Sequence, residues 1–320
     1  MNNLQFKVRV ERKNTEAEGI CSFELINVDG TQLPPFAAGS HIDVKTPEGL
    51  IRQYSLCNDP TESHRYLIAV LKDSASRGGS RSMHDAVQEG DILEISAPRN
   101  HFSLANDAQN SLLLAGGIGI TPVLCMAERL SAVNSAFSMH YYARSPERTA
   151  FRARIAESPF ADRVTFHYDN ATGPKLTISE LLASTNKEIH IYVCGPKGFM
   201  DVVLDTARTL GWDESRLHFE FFSAEPVRLD TDGSFTVKLA STGKLVTIPA
   251  NIPVTRALTD AGVHIPVSCE QGVCGTCLTR VLEGVPDHRD LFLSPREQTK
   301  NDQFTPCCSR SKSAVLVLDL

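Results

Sequence analysis

Cys269, Cys274 and Cys277 stand in a C-x4-C-x2-C run, and Cys307 lies well downstream. Thiolates at this spacing are the ligand pattern of a plant-type 2Fe–2S cluster, with three sulfurs supplied by one loop. Gly272 and Gly275 sit where such a loop would need to bring its backbone close to the cluster. A zinc site is the competing chemistry, but zinc ribbons pair two C-x2-C knuckles and only one is present. Cys308 follows Cys307 directly, and neighbours in an extended segment point to opposite sides, so only one can face the irons. Cys307 is taken as the fourth ligand and Cys308 as a packed thiol, as are Cys21, Cys57 and Cys125.

Two further stretches carry binding chemistry. Ala115-Gly-Gly-Ile-Gly-Ile-Thr-Pro122 joins an apolar run to a helical pattern, and Val193-Cys-Gly-Pro-Lys197 does the same further on. Glycines allow a tight turn and close contact with a pyrophosphate, whose charge is favoured at a helix N-terminus. Pro122 is suited to the first helical residue, although such turns also arise for packing alone. Arg52-Gln-Tyr-Ser-Leu56 places a cation, an aromatic ring and a hydroxyl at one strand end, and Arg77-Gly-Gly-Ser80 precedes a helical segment. Stacking on the ring and phosphate contacts from Arg and Gly would suit the two ends of FMN.

The elements that must position these residues change period along the chain. Up to about residue 104, alternating runs such as Gln5–Val10 and Tyr66–Leu71 are separated by turn clusters, which predicts an antiparallel β-barrel or sandwich interrupted by one helix near Ser82–Val87. From 105 to 224, strands at Ser111–Ala115, Ser138–Tyr142, Val164–Tyr168 and Ile189–Val193 alternate with helices at Val123–Leu130 and Gly198–Leu210. That alternation predicts a doubly wound parallel α/β sheet. Residues 225–233 read as a linker, and 234–320 as a small domain opened by a hairpin around Ser241–Lys244.

The chain has 320 residues, 22% of them charged, and a formal net charge of −6. That profile is globular, and with no long basic run it argues against nucleic acid or an anionic membrane as partner. No apolar stretch approaches the roughly 20 residues of a spanning helix. The N-terminus lacks a signal peptide's apolar core, so a cytoplasmic setting is the default expectation. The sequence does not name the oligomeric state, and a monomer is the working expectation.

The ordered set of motifs resembles the phthalate dioxygenase reductase family, which includes reductase subunits of vanillate-type O-demethylases. It comprises Arg52-x-Tyr-Ser-Leu56, Arg77-Gly-Gly-Ser80, Gly116-Gly-Ile-Gly-Ile-Thr-Pro122, Cys194-Gly-Pro196, His218-Phe-Glu-Phe-Phe222, the cysteine loop and Cys307-Cys-Ser-Arg310. The resemblance implies an FMN-binding antiparallel barrel, a nicotinamide α/β domain and an α+β (β-grasp) ferredoxin. By motif match, Arg52, Tyr54, Ser55 and Leu56 would line the flavin, and Arg77, Gly79 and Ser80 its phosphate. Gly116, Gly117, Gly119, Gly195 and Pro196 would hold NADH. Thr121 and Cys194 would flank the nicotinamide–flavin contact, with Phe222 beside the flavin. The family's cysteine followed by x-Ser-Arg is its ligand, which agrees with Cys307. Two positions depart from the pattern. Cys308 adjoins that ligand, and Arg144 follows a strand that ends near the adenosine ribose in the family, where an Arg favours a 2′-phosphate.

These cofactors imply electron splitting, from a hydride donor through flavin to a one-electron cluster. No Cys-x-His pair for a Rieske centre is present, nor a convincing two-His-one-carboxylate set for mononuclear iron. The expected acceptor is therefore a separate protein, and the family resemblance implies a Rieske-type aromatic oxygenase. The alternative is a stand-alone NADH-dependent quinone or small-acceptor reductase. Glu270 and Asp287 are surface or partner contacts in this reading.

Overall fold

The computed structural model describes residues 4–73, 78–106, 108, 110–170, 176–224, 227 and 229–320. They fall in two compact units, one within Asn3–Phe222 and the other within Ser223–Leu320.

The first unit begins with a barrel. Strand β1 (Leu4–Ala17) turns at Gly19 into β2 (Ile20–Asn27), and β3 (Ser40–Lys45), β4 (Ile51–Ser55), β5 (Tyr66–Leu71), β6 (Ile92–Ser96) and β7 (Arg99–Asn100) follow. The sheet order is β4-β3-β6-β1-β2-β5, with β7 added to β3, and the pairing is antiparallel throughout. Leu56, just past β4, bridges Ile68 on β5, so the sheet closes and its edges are paired. The period of two carries Val8 and Val10, Phe23 and Leu25, Ile42 and Val44, and Leu93 and Ile95 into one core. The expected helix forms as α1 (Gly79–Asp85), and Met83 enters that core. It starts three residues earlier than 82, because Gly78 at φ 102° makes the turn that begins it.

Beside the barrel lie five parallel strands, β8 (Asn110–Gly116), β9 (Ala136–Ala143), β10 (Val164–Tyr168), β11 (His190–Cys194) and β12 (Leu217–Glu220). Their order is β10-β9-β8-β11-β12, so the winding reverses between β8 and β11. A ligand crevice is expected at the carboxyl ends there. Helices α2 (Ile120–Ala132), α3 (Arg152–Ala156), α4 (Ile178–Ser184) and α5 (Lys197–Thr209) connect the strands. Leu113 and Leu112 of β8 enter separate cores, one with α2 and the other with α4 and α5, so the strand reads as a continuous apolar run. Cys57, Leu67 and Ala69 of the barrel share the first of these cores with Leu124, Cys125 and Met126. Barrel and sheet are therefore packed as one body. Cys57 and Cys125 are packed thiols, pushed upward by burial.

The second unit holds β13 (Phe235–Leu239), β14 (Leu245–Ile248), α6 (Val254–Asp260), β15 (Thr279–Glu283), β16 (Pro286–Asp287), α7 (Pro295–Gln298), β17 (Gln303–Phe304), β18 (Arg310–Ser311) and β19 (Val315–Leu318). The main sheet runs β14-β13-β19-β15-β17, with β13 and β19 parallel and β16 paired to β18. Leu258 of α6 packs with Val237, Phe304 and Leu316, giving the β-grasp arrangement.

Residues at the end of the expected linker are bonded into this unit. Arg289 grips Asp232 with both guanidinium ends and also reaches Asp287, while Arg310 donates to the Gly233 carbonyl. The Arg289 hydrogen bonds hold the Asp232 carboxyl down at about 2. Its unfolded value is about 3.9, so the contribution is complete above that pH and is lost as pH falls through about 2. Asp232→Asn is expected to lower the urea midpoint for loss of cluster absorption at pH 7, by an amount equivalent to roughly 1.5–3 kcal/mol. An unchanged midpoint would contradict a structural role for this pair.

Candidate functional site

At the switch point, Ala115 of β8 lies in register with Cys194 of β11. The turn after β8 runs through Gly116, Gly117 and Gly119 into α2, and the turn after β11 runs through Gly195 and Pro196 into α5. An ideal Cβ on Gly119 would lie 2.2 Å from the Cys194 carbonyl oxygen. One on Gly116 would lie 2.8 Å from the Phe199 ring, and one on Gly195 would lie 2.7 Å from it. Three of these glycines therefore let the two turns interlock over Phe199. Gly117 differs: it takes φ +52° and its Cβ position faces open space. Thr121 is buried and donates its hydroxyl to the Ile118 carbonyl (3.1 Å), fixing the turn. Pro122 is the third residue of α2 rather than the first, still within the turn whose N–H groups lack helical partners.

The barrel meets these strand ends through Ser55, whose hydroxyl donates to Glu220 Oε2 (3.4 Å). Glu220 ends β12 and is in register with Cys194. Burial pushes its carboxyl up to about 8, with the Ser55 contact opposing. Cys194 is fully buried, its thiol raised by burial and by Glu220. Ser55 and Cys194 were legible in the sequence, whereas Glu220 was not singled out. Its signal was a lone carboxylate in the aromatic run His218–Phe222. Phe222 lies two residues beyond it and is exposed.

Nearer the start of β4, Arg52 lies across Gly79, where a Cβ would sit 2.6 Å from the Arg52 Nε. This is a narrow cradle of a cation over a bare backbone at the start of α1, and it fits a phosphate group. The Ser80 hydroxyl accepts from the Asp73 N–H (3.2 Å). Arg77 lies outside the described residues. Tyr54 packs against the barrel core, and burial raises its phenol. The Leu56 side chain is fully buried in the barrel core and its N–H donates to the Ser40 carbonyl, so it helps to close the barrel. Arg144 is exposed just past β9.

In the second unit the cysteine loop runs between α6 and β15. Cys269 touches Cys274 and Cys307, and Cys307 touches Cys277. None of the cysteines is in a disulfide. Among the described residues no three His, Cys, Asp or Glu side chains are grouped around one metal ion. The four thiols adjoin one another in the order 274, 269, 307, 277, a set of four sulfur donors that fits a 2Fe–2S cluster. Gln271 donates its N–H to Cys269 Sγ (3.3 Å). Gly272 and Gly275 take φ +74° and +68°, and Glu270 takes +54°. Their crowding differs from the expectation: a Cβ on Gly272 would lie 2.4 Å from Cys308 Sγ, and one on Gly275 2.3 Å from the Phe292 ring. Glu270 is exposed, whereas Asp287 is paired with Arg289.

Nicotinamide, flavin and iron–sulfur modules in one chain define an iron–sulfur flavoprotein oxidoreductase. Residues 239–312 match the 2Fe-2S iron-sulfur cluster binding domain. Vanillate O-demethylase oxidoreductase of Pseudomonas putida is 57% identical, covering 97% of this chain and 98% of that relative. Phthalate dioxygenase reductase of Burkholderia cepacia is 42% identical over 98% and 97% of the two chains. The solved structure of a phthalate dioxygenase reductase, described as modular for electron transfer from pyridine nucleotides to [2Fe-2S], superposes with a TM-score of 0.74 at 41% identity, covering 98% of this chain and 97% of that one. The chain belongs to this family of oxygenase reductases, and it passes electrons from pyridine nucleotide through flavin to a 2Fe–2S cluster.

Glu220 sets a testable pH dependence. Its folded value near about 8 lies above the unfolded carboxylate value, so its contribution favours the fold at low pH and is lost as pH rises from about 4.3 towards about 8. Glu220→Gln carries no such titration. The melting temperature of the variant relative to wild type is expected to rise between pH 5 and pH 8. A difference that is flat across that range would mean Glu220 is ionised in the folded protein.

Proposed function

We propose that the chain is the NADH-dependent reductase of a two-component aromatic oxygenase, holding FMN and delivering electrons to a separate Rieske-type partner. The proposed division is an FMN barrel at 1–104, a nicotinamide domain at 105–224, a linker at 225–233 and a ferredoxin at 234–320. The relatives named for vanillate O-demethylation match nearly the whole chain, so a methoxy-aromatic acid is the proposed substrate of the partner. The observation that carries the reading is the convergence of Ser55, Cys194 and Glu220 where barrel and sheet meet.

When bound, the flavin would supply the exchange between two-electron chemistry at a nicotinamide and one-electron chemistry at a cluster. In this proposal Arg52, Gly79 and Ser80 hold the FMN phosphate, and Tyr54 and Ser55 its ring. Gly117 lets the backbone approach the pyrophosphate of NADH, and Gly116, Gly119, Gly195 and Pro196 shape the floor beneath it. Thr121 fixes the first turn, Cys194 and Glu220 flank the nicotinamide, and Phe222 covers the flavin side. Glu220 holds a proton at its carboxyl below about pH 8. Cys269, Cys274, Cys277 and Cys307 hold the cluster. Among the described residues no helix is long and apolar enough to cross a membrane, and a reducing cytoplasm suits nine free cysteines.

From Asp232 to Leu320 there are nine acidic and nine basic residues, 9 − 9 = 0. Leu278 and Leu291, beside the cysteine loop, are exposed. Docking through a domain with no net charge gives a transfer rate that changes little with ionic strength. Mixing the reductase with a vanillate-type oxygenase and varying salt checks this, and a steep fall in rate would contradict it. Extraction of the flavin and its mass identify the cofactor: FMN is expected, and FAD would overturn that part. Quinone reduction as efficient as oxygenase reduction would overturn the assigned partner.

A further inference from the structure

We propose that His41 is a flavin-binding residue, its imidazole hydrogen-bonding the pyrimidine edge of the isoalloxazine beside Ser55. The proposal rests on the flavin reading of Ser55. His41 stands on β3 between two strands, in register with Ser55 of β4 and with Arg99 of β7. Cross-strand partners lie on one face of a sheet. Ile42, the next residue, enters the barrel core, so His41 points outward on the same side as Ser55.

The His41 residue is only 4% exposed, and neither ring nitrogen has a hydrogen-bond partner among the described residues. Burial, with Arg99 and His101 nearby, pushes the imidazole down to about 3, so it is neutral near pH 7. A neutral imidazole carries one N–H donor and one lone pair, and here both are unspent. A buried donor and acceptor left unpaired are costly, and native structures rarely contain them.

The neighbours are engaged elsewhere. Ser55 gives its hydroxyl proton to Glu220 Oε2. Arg99 turns to Asp43, with Nη2 2.6 Å from Oδ2. The His101 ring lies alongside, its centroid 5.5 Å away and its plane tilted by 34°. A Cβ at Gly39 would sit 1.9 Å from the Phe102 carbonyl oxygen, so the segment carrying His101 is pressed onto the start of β3. That segment closes one side of the imidazole, and Arg99 closes the β7 side. Ser55 is the neighbour on the other side, and it is the one assigned to the flavin ring. The pyrimidine edge of an isoalloxazine presents two carbonyl oxygens flanking one N–H. That alternation of acceptor and donor complements the donor and acceptor of a neutral imidazole. His41 thus adds a contact without adding a charge beside the ring.

The test uses the full chain with its iron–sulfur cluster, its flavin removed and FMN titrated back. Wild type, His41→Leu and His41→Gln are compared by flavin fluorescence, by melting of the flavin-free protein and by infrared difference spectra. His41→Leu fills the site without polar atoms and is expected to bind FMN about tenfold more weakly, the worth of one hydrogen bond. Its flavin carbonyl stretch is expected to rise in wavenumber, since a lost hydrogen bond stiffens the C=O bond. Its flavin-free form is expected to melt no lower than wild type, because an unpaired polar ring has given way to an apolar chain. His41→Gln keeps a donor and an acceptor and is expected to recover most of the affinity and of the carbonyl shift. Wild-type affinity and carbonyl stretch in His41→Leu would overturn the proposal. So would weaker binding joined to a lower flavin-free melting temperature and no recovery in His41→Gln, which would make the ring mere packing. FAD carries the same ring, so the same comparison decides the proposal if FAD is the flavin extracted. A wild-type chain that takes up no flavin would remove the reading of Ser55, and the proposal with it.

Discussion

Where β8 and β11 end side by side, backbone lies against backbone, and any side chain at Gly119 would overlap the Cys194 carbonyl. That close approach sets the geometry of the nicotinamide crevice. It fixes the starts of α2 and α5, which pack on opposite faces of the sheet. It also sets the height of Cys194 relative to Glu220 on the next strand. Because barrel and sheet share a core, Ser55 arrives at the same place from the other direction. The functional convergence is a consequence of packing, with no flexible loop needed to complete it.

The second unit meets a different constraint. Its sheet is small, and a 2Fe–2S cluster asks four thiolates and a tightly wound loop to sit at one edge. Three consecutive features carry that load: left-handed backbone at Glu270, Gly272 and Gly275, the Phe292 ring under Gly275, and Cys308 under Gly272. Arg289 links the loop's surroundings to the start of the unit through Asp232. Its backbone N–H donates to Ser309 Oγ, on the segment that follows Cys307.

Much of this was legible in the sequence because period and spacing are local signals. The strand at Val164–Tyr168 coincides with β10, and the hairpin at the head of the ferredoxin with β13 and β14. Cysteine spacing named the loop. What escaped depends on contacts between distant residues. β12 is a short edge strand with an aromatic and charged sequence, and Glu220 acquires its raised carboxyl value only when the barrel covers it. Leu56 shares a motif with Arg52 and Tyr54, but it lies just past β4, where its bridge to Ile68 goes with a fully buried side chain. The glycines of the two cofactor turns were read as room for a ligand, whereas three of the four serve the contact between the turns.

The central claim is that one chain carries electrons from a nicotinamide through flavin to the cluster held by Cys269, Cys274, Cys277 and Cys307. An anaerobic titration of the purified protein with NADH, followed by visible absorption and low-temperature EPR, tests it most directly. The account predicts bleaching of the flavin together with a rhombic signal of reduced 2Fe–2S. Flavin bleaching without that signal, in protein shown to contain iron, would contradict it.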